Sequence, residues 1–223
     1  VYHVGVNALR RAFDFFLDIL FPQDEDVRHL ETMTAGGLAS SARRLEPGRD
    51  IEDSVILFEY KDPLVRLALA EAKFRGNRRI ARLLGEAARD ALAAELYERK
   101  TFENFSSPIL VAVPMTKRSL RERGHDQCRL ICEPIREDAE SLGLSIRFDA
   151  LEKVRETGDQ VGRDKRERLE SLKGSLKADP EIVRGKNIVV FDDIVTTGAT
   201  WAEAKRALRK AGARRVLLLA IAH

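Results

Sequence analysis

Short apolar runs alternate with longer stretches of helical periodicity along this chain. Four runs rich in β-branched and other large apolar residues predict buried strands, at positions 54–60, 108–113, 188–191 and 216–220. Helical spacing predicts one helix over 63–74, a longer one from 80 to about 100, and an alanine-rich one after residue 200. Because strands and helices alternate, the pattern predicts an α/β fold, with a mainly parallel central sheet flanked by helices.

The first 50 residues have a different pattern from the rest of the chain. Residues 1–21 predict an amphipathic helix whose apolar positions share one face: Leu9, Phe13, Phe16, Leu17 and Leu20. Charged residues interrupt this stretch, so it is too polar for a membrane span or a secretion signal, and we expect it to dock on the body or on a partner chain. Residues 22–50 are small and polar, which predicts a linker or a weakly ordered appendage. The predicted organisation is an N-terminal helix and appendage over 1–50 and one domain over 51–223.

Composition sets limits on the partners and the cellular location. The formal charge is only +3 although 34% of residues are charged, so the chain tolerates anionic ligands without requiring nucleic acid. Aromatic residues make up 6% of the chain, which leaves few for stacking on bases and argues against direct nucleic-acid binding. The two cysteines, Cys128 and Cys132, cannot build a cysteine-only zinc site or a disulfide framework. We therefore expect two thiols that are buried or idle, no bound zinc, no membrane contact and a cytoplasmic protein.

Two adjacent carboxylates, Asp192 and Asp193, follow the apolar run at 188–191. Ligands of open α/β sheets bind beyond the carboxyl ends of the strands, where this acid pair and the next loop are expected to lie. The loop leads into a helix, whose N-terminus suits a phosphate, and it consists of small and hydroxyl-bearing residues: Thr196, Thr197, Gly198, Ala199 and Thr200. The carboxylates would repel that phosphate, so we expect them to accept hydrogen bonds from ribose hydroxyls beside a Mg²⁺ ion. The stretch thus predicts a pocket for a phosphorylated sugar.

Two basic stretches offer further contacts for an anion. The second predicted strand is followed by four cations: Lys117, Arg118, Arg121 and Arg123. If these cations lie at the same end of the sheet as the acid pair, they would suit a pyrophosphate group. The alternative is a basic helix start that faces solvent. The turn at 73–79 is also basic, and its pattern fits a solvated helix connection as well as it fits anion contact.

The segment VVFDDIVTTGAT, at 189–200, resembles the 5-phosphoribosyl-1-pyrophosphate (PRPP) motif of type I phosphoribosyltransferases. The resemblance implies a type I phosphoribosyltransferase-like sheet with a small hood. It also implies that Asp192 and Asp193 hold the ribose hydroxyls, bind Mg²⁺ and serve catalysis, while residues 196–200 wrap the 5′-phosphate. Displacement at C1 of the ribose would then release pyrophosphate.

A second segment, VAVPMTKRSLRERGHDQC at 111–128, is similar to the V-P-V-P…R-x-R-G-F-N-Q segment of the ComF group, phosphoribosyltransferase-like proteins named for competence in DNA uptake. In that pattern this block supplies the pyrophosphate loop, which here corresponds to Pro114, Met115, Thr116, Lys117 and Arg118. Residues 151–176 are similar to the group's R-x-x-T-x-x-Q…R-x-x-N stretch, a mobile cover. The hood is predicted over 145–176, and the N-terminal helix is a further candidate for it. The matching residues of the cover are Arg155, Thr157, Gln160 and Arg168.

The sequence departs from the ComF pattern in three ways. No cysteine precedes Cys128, where the group usually has a zinc ribbon. His125 and Asp126 replace the phenylalanine and asparagine of R-G-F-N-Q and are candidates for activating an acceptor, and Ser171 falls near the asparagine of the cover. The resemblance implies that the protein binds PRPP with Mg²⁺ and transfers the phosphoribosyl group to an unidentified acceptor, and it is compatible with a homodimer. The alternatives are a non-catalytic competence accessory protein that uses the pocket as a nucleotide or partner site, and a single-stranded DNA-binding protein as a weaker third hypothesis.

Overall fold

The computed structural model describes residues 25–45, 51–155 and 172–223. The strands of its main sheet are β1 (Ser54–Phe58), β2 (Ile109–Ala112), β3 (Ser145–Ile146), β6 (Asn187–Ile194) and β7 (Arg215–Ala222). They are all parallel and lie in the order β1-β7-β6-β2-β3. Two further strands, β4 (Leu151–Lys153) and β5 (Leu176–Ala178), pair antiparallel in a separate small sheet. The predicted α/β fold with a mainly parallel sheet is confirmed.

Helices flank the main sheet. Those of the described residues are α1 (Glu25–Thr32), α2 (Ala35–Ser41), α3 (Pro63–Ala70), α4 (Arg78–Glu103), α5 (Lys117–Arg123), α6 (Gln127–Ile131), α7 (Glu133–Glu137), α8 (Pro180–Val183) and α9 (Ala199–Lys210). A π-helical turn, Glu71–Arg75, links α3 to α4, so the helix predicted over 63–74 changes its pitch near its end. Within the described ranges, no helix is both long enough and apolar enough to cross a membrane.

The alternation of side chains along β6 divides the core into two layers. Ile188 and Val190 pack in the layer that contains α9 and the small sheet, whereas Val189 and Phe191 pack in the layer that contains α3 and α4. All four side chains are fully buried, as expected for a central parallel strand covered on both faces. The strand is therefore held rigidly, and so is whatever lies at its carboxyl end.

Residues 25–45 correct the prediction of a linker over 22–50. They form α1 and α2, and Leu30 and Leu38 are fully buried in the core layer that also contains α3 and α4. Each short helix buries one leucine within an otherwise polar segment, so the average composition concealed the packing. The predicted domain boundary near residue 50 stays a prediction, and the helix predicted over 1–21 lies outside the described residues.

The hood also differs from its predicted range. Strand β3 pairs with β2 in the main sheet, through Ile109 with Ser145 and Leu110 with Ile146, so residues 145–146 are not part of the hood. The small sheet of β4 and β5 packs on α9 and corresponds to the predicted hood. Four residues of the predicted cover lie outside the described part of the chain: Thr157, Gln160, Arg168 and Ser171.

Candidate functional site

The acid pair lies within strand β6 and not after it, because β6 continues as far as Ile194. Asp193 is only 7% exposed. Its carboxylate accepts hydrogen bonds from the side-chain amide of Gln127 on α6 (Nε2–Oδ2, 3.3 Å) and from the backbone amide of Ile194 (3.0 Å). Asp192 is half-buried and pairs with Ala220 of β7 in the ladder. Backbone pairing thus holds both carboxylates on a rigid element at the carboxyl end of the sheet.

A cavity of about 430 Å³ opens beside Asp192. Residues 194–201, which contain the whole predicted phosphate loop, line this cavity, and Lys73 contributes to its wall. Gly198, at φ +75°, turns the chain into α9, which begins at Ala199. The first N–H groups of α9 and the positive end of its dipole therefore lie at the wall. The structure brings Asp192 and the predicted phosphate loop together in one cavity.

The acid pair is electrostatically unfavourable on its own. Burial raises the pKa of Asp192 well above its usual range, and the charge of the adjacent Asp193 raises that pKa further. Lys73 acts on the pKa of Asp192 in the opposite direction. A ligand that donates hydrogen bonds or carries positive charge would stabilise the carboxylate form. Ribose hydroxyls and Mg²⁺ both have this property.

Lys73 reaches the cavity from the π-helical turn Glu71–Arg75. Turns of this kind occur frequently at functional sites. Another cation of the same turn, Arg75, pairs with Glu71 (3.1 Å) instead. The sequence left open whether the basic turn at 73–79 contacts an anion. It could not identify Lys73 as the residue of this turn that lines the cavity, because the direction of the side chain depends on the change of helical pitch.

His125 holds the turn that carries Lys73. Its Nε2 atom lies 3.0 Å from the carbonyl oxygen of Ala72, and its Nδ1 atom lies 3.0 Å from the carbonyl oxygen of Arg123. The ring also packs on Gly76, where φ is +63° and a Cβ atom would lie 3.0 Å from the ring. His125 is therefore engaged with backbone carbonyl groups, and it is not among the residues that line the cavity.

The predicted pyrophosphate loop lies apart from this cavity wall. Pro114 and Met115 line a second cavity, of about 170 Å³. The hydroxyl of Thr116 caps the N-terminus of α5. Lys117 and Arg118 are exposed on that helix, and Arg118 forms an ion pair along it. This arrangement matches the solvent-facing helix start that the sequence offered as the alternative, and the binding role of residues 114–118 stays a prediction.

Cys128 lies beside the acid pair, which the sequence did not indicate. Its Sγ atom and a carboxylate oxygen from each of Asp192 and Asp193 lie within 4.8 Å of one another. Both cysteines are buried, as predicted, and burial raises the pKa of both thiols. A protonated thiol is a poor ligand for a hard cation, so the two carboxylates are the groups that fit Mg²⁺. The absence of zinc stays a prediction.

The central strand of the parallel sheet carries an acid pair near its carboxyl end, and a turn that contains threonine and glycine leads from this strand into a helix. This combination defines a phosphoribosyltransferase-like protein. The family model of the phosphoribosyl transferase domain matches residues 91–222. The chain belongs to this family, which confirms the resemblance found in the sequence.

Known proteins narrow this assignment. DNA utilization protein YhgH of Escherichia coli O6:H1 is 30% identical over 188 residues, which cover 81% of this chain and 78% of that protein. Competence protein F of Haemophilus influenzae is 26% identical over 174 residues, which cover 75% and 71%. These similarities confirm the predicted membership of the ComF group.

A solved structure of the glutamine PRPP amidotransferase from B. subtilis, complexed with ADP and GMP, aligns with a TM-score of 0.36 and 21% identity. The alignment covers 67% of this chain and 30% of that one. The order of the parallel strands and the match to the family model define the fold.

Proposed function

We propose that the protein binds PRPP with Mg²⁺ in the cavity beside Asp192 and transfers the phosphoribosyl group to an acceptor, with release of pyrophosphate. The observation that supports this proposal is the lining of a single cavity by Asp192, by the phosphate-loop residues 196–200 and by Lys73. A carboxylate suits ribose hydroxyls, a helix N-terminus suits a phosphate, and a cation suits a pyrophosphate group. PRPP presents these three groups in one molecule.

Different residues at the site would bind different groups of PRPP. The N–H groups at the start of α9 and the hydroxyls of Thr196, Thr197 and Thr200 would bind the 5′-phosphate. The carboxylates of Asp192 and Asp193 would accept hydrogen bonds from the ribose hydroxyls, and Gln127 already orients Asp193. These contacts would fix C1 of the ribose for attack by the acceptor. Positioning of this kind removes part of the entropic cost of the reaction.

The carboxylates of Asp192 and Asp193 also fit Mg²⁺, which prefers oxygen ligands and keeps contact with phosphate oxygens of its substrates. When bound, the ion would neutralise negative charge on the pyrophosphate. Lys73 would add a positive charge that the protein itself supplies. Because an oxocarbenium-like state forms as pyrophosphate leaves, this electrostatic stabilisation and the positioning of C1 are the main contributions expected from the protein.

Isothermal titration calorimetry with PRPP, in the presence and in the absence of Mg²⁺, tests the binding step. We expect saturable binding that weakens when Mg²⁺ is removed. A pyrophosphate-release assay over a panel of bases and amines then tests transfer. A folded protein that binds neither PRPP nor ribose 5-phosphate would contradict the proposed function.

Lys73→Ala should weaken the binding of PRPP more than the binding of ribose 5-phosphate, because we assign Lys73 to the pyrophosphate end. A hydrogen bond to a charged group contributes ~1.5–3 kcal/mol, so the Kd for PRPP should rise about 10- to 100-fold. The Kd for ribose 5-phosphate should change little. Lys100→Ala, which removes an exposed lysine of α4, is the control and should leave both constants unchanged. Equal weakening of both ligands would show that Lys73 does not serve the pyrophosphate end.

Thr196 leads us to expect no useful activity on 6-oxopurines. In phosphoribosyltransferases that act on hypoxanthine or guanine, the matching loop position usually holds an aspartate that exchanges a proton with the purine ring. A threonine hydroxyl does not titrate near neutral pH, and general acid–base help is worth ~10²–10⁴-fold. Steady-state assays should therefore show negligible conversion by the unmodified protein and a gain in Thr196→Asp. Robust conversion of hypoxanthine or guanine without that substitution would disprove the argument.

A non-catalytic role in competence is a second proposal, and it rests on the names of the relatives, DNA utilization protein YhgH and Competence protein F. In this case the cavity would bind a nucleotide or a partner without turnover. The pyrophosphate-release assay separates the two proposals. Binding of PRPP with no release for any acceptor would favour the accessory role.

A further inference from the structure

Cys128 lies deep in the protein, beside the two carboxylates of the acid pair. It is the second residue of α6, and its side chain is only 2% exposed. The preceding residue, Gln127, donates a hydrogen bond to Asp193 (3.3 Å), which fixes α6 against the carboxyl end of β6. The Sγ atom of Cys128 and one carboxylate oxygen from each aspartate lie within 4.8 Å of one another. We call these three side chains the thiol–carboxylate cluster: Cys128, Asp192 and Asp193.

Local hydrogen bonding brings both carboxylates toward the thiol. Successive side chains of a strand normally point to opposite faces of the sheet. Oδ1 of Asp192, however, accepts a hydrogen bond from the backbone amide of Asp193 (3.0 Å), which turns the carboxylate of Asp192 along the strand toward its neighbour. Among the residues that the structure describes, this is the one group of three cysteine, histidine or acidic side chains whose ligand atoms converge in this way. The docking of α6 and the geometry of β6 together build the cluster.

The thiol–carboxylate cluster has no positive charge bound to it. Lys73 contributes to the wall of the adjoining cavity, but no ion pair joins it to Asp192, and no described residue forms an ion pair with either aspartate. Sγ of Cys128 likewise has no hydrogen-bond partner in the described part of the chain. Buried charges in proteins are normally paired or bound to a metal ion. A cation would therefore complete the set of buried donors.

The donor atoms select the kind of cation. Mg²⁺ takes oxygen ligands in near-octahedral geometry, so it does not use a thiol. Zn²⁺ binds a cysteine sulfur at about 2.3 Å and carboxylate oxygens at about 2.0–2.2 Å, which places tetrahedral ligand atoms about 3.5 Å apart. Because the three donor atoms already lie within 4.8 Å of one another, side-chain adjustments on the order of 1 Å would give that spacing. The cluster fits a thiophilic divalent cation, with a fourth position left for water.

We propose that a thiophilic divalent cation, of the class of Zn²⁺, binds the thiol–carboxylate cluster and thereby blocks the binding of PRPP with Mg²⁺. The blocking step rests on the proposed function, whereas metal binding by itself does not. As the bond between the metal and Sγ forms, the thiol proton leaves to solvent, and one thiolate and two carboxylates then surround the ion. The bound ion would occupy the carboxylate oxygens that the ribose hydroxyls and Mg²⁺ require. The site would therefore respond to the supply of this class of cation.

The expectation of no bound zinc came from the cysteines, because two thiols alone cannot complete a zinc site. The fold supplies a different donor set, in which one thiol joins two carboxylates from a distant strand. Cys132, which is also buried, is not part of the cluster. The half-buried Asp192 lines the cavity beside it, so an ion can reach the cluster from that cavity. We therefore expect metal-free protein to take up the ion when it is added.

Titration of the metal-free protein with Co²⁺, a coloured substitute for Zn²⁺, tests metal binding without PRPP. We expect a thiolate-to-cobalt charge-transfer band in the near ultraviolet that saturates at about one Co²⁺ per chain and disappears when Zn²⁺ is added. Cys128→Ser should abolish this band. Asp192→Asn with Asp193→Asn should weaken Co²⁺ binding more than about tenfold, since the loss of groups that merely support metal ligands already costs about 10- to 100-fold.

Cys132→Ser is the matched control for the thiol. It removes the other buried cysteine, about one helical turn further along the chain, and should keep the full cobalt band. Cys128→Ala should behave like Cys128→Ser, which keeps the test valid if a buried hydroxyl destabilises the fold. Thermal unfolding checks that every variant is folded.

Calorimetry with PRPP and excess Mg²⁺ tests the blocking step. With Zn²⁺ at about ten times its own Kd, competition should raise the apparent Kd for PRPP about tenfold in the unmodified protein. Cys128→Ser should bind PRPP normally without Zn²⁺, because we assign no group of PRPP to the thiol. Added Zn²⁺ should raise the Kd of this variant less than about twofold. The variant also controls for Zn²⁺ that binds PRPP directly, since that reaction is the same for both proteins.

The two measurements separate the outcomes. Absence of a thiolate–cobalt band, or a band that persists in Cys128→Ser, would overturn the metal site. Equal inhibition by Zn²⁺ in the unmodified protein and in Cys128→Ser would overturn the blocking step. A protein that shows the band and does not bind PRPP would confirm the metal site and contradict the proposed function. A protein that binds PRPP and shows no band would do the reverse.

Discussion

Replacing Asp192 and Asp193 together by asparagine should abolish measurable PRPP binding while leaving the fold intact. Asparagine preserves the size of each side chain but removes the charge that strengthens hydrogen bonds from ribose hydroxyls. Each such bond contributes ~1.5–3 kcal/mol, so the Kd should rise at least about 100-fold when both are weakened. The fold should tolerate the change, because burial and the adjacent Asp193 raise the pKa of Asp192 and its charge is therefore unfavourable in the folded protein.

Calorimetry with PRPP and Mg²⁺ measures this loss, and thermal unfolding confirms that the double variant is folded. Asp90→Asn is the control, because Asp90 is an exposed aspartate that pairs with Arg89 (2.8 Å) and lies outside the cavity beside Asp192. It should bind PRPP like the unmodified protein. If the double variant kept its full affinity, the acid pair would not be the ribose-binding group.

Gly85→Ala should destabilise the protein, although alanine is the better helix former. Gly85 lies within α4, and a Cβ atom there would lie 2.1 Å from the carbonyl oxygen of Ile131 and 2.8 Å from Cδ of Pro134. Removing a mid-helix glycine would by itself gain about 1 kcal/mol. The collision involves the backbone of α6, which cannot move away freely, and overpacking of this kind costs about 1–3 kcal/mol or more. Because the 2.1 Å approach is to a backbone atom, we place this cost at the upper end of that range. We therefore expect a net fall of about 2 kcal/mol in the free energy of unfolding, measured by denaturant titration.

Gly85→Ala should also affect the candidate functional site, because α6 carries Gln127, whose side chain donates a hydrogen bond to Asp193 (3.3 Å). A displaced α6 should therefore weaken PRPP binding as well as stability. Gly36→Ala in α2 is the matched control, since a Cβ atom there would meet nothing within 4 Å. That variant should be as stable as the unmodified protein or more stable by up to about 1 kcal/mol. Equal behaviour of the two variants would show that close approach at Gly85 is unimportant.

Local patterns made much of the fold predictable. The apolar runs that predict strands are confirmed as β1, β2, β6 and β7, because a buried parallel strand needs an uninterrupted apolar run and little else. The β6 prediction ended too early, at residue 191, since the two carboxylates broke the apolar run while the backbone pairing with β7 continued to Ile194. The helices at 25–32 and 35–41 escaped detection for a related reason, because one buried leucine in each is a weak periodic signal.

By itself, the sequence determined the unit from β6 through α9 to β7. Its apolar run, acid pair, turn at Gly198 and helix-ending Gly212 depend only on neighbouring residues. Tertiary structure alone decided where the charges lie. Lys73 lines the cavity, whereas residues 117–118 lie on an exposed helix. The loops at 184–186 and 211–214 meet at the amino-terminal end of the sheet, opposite the cavity. The physical reason is that a charged side chain can be solvated almost anywhere, so its placement depends on how distant segments pack and not on the pattern around it.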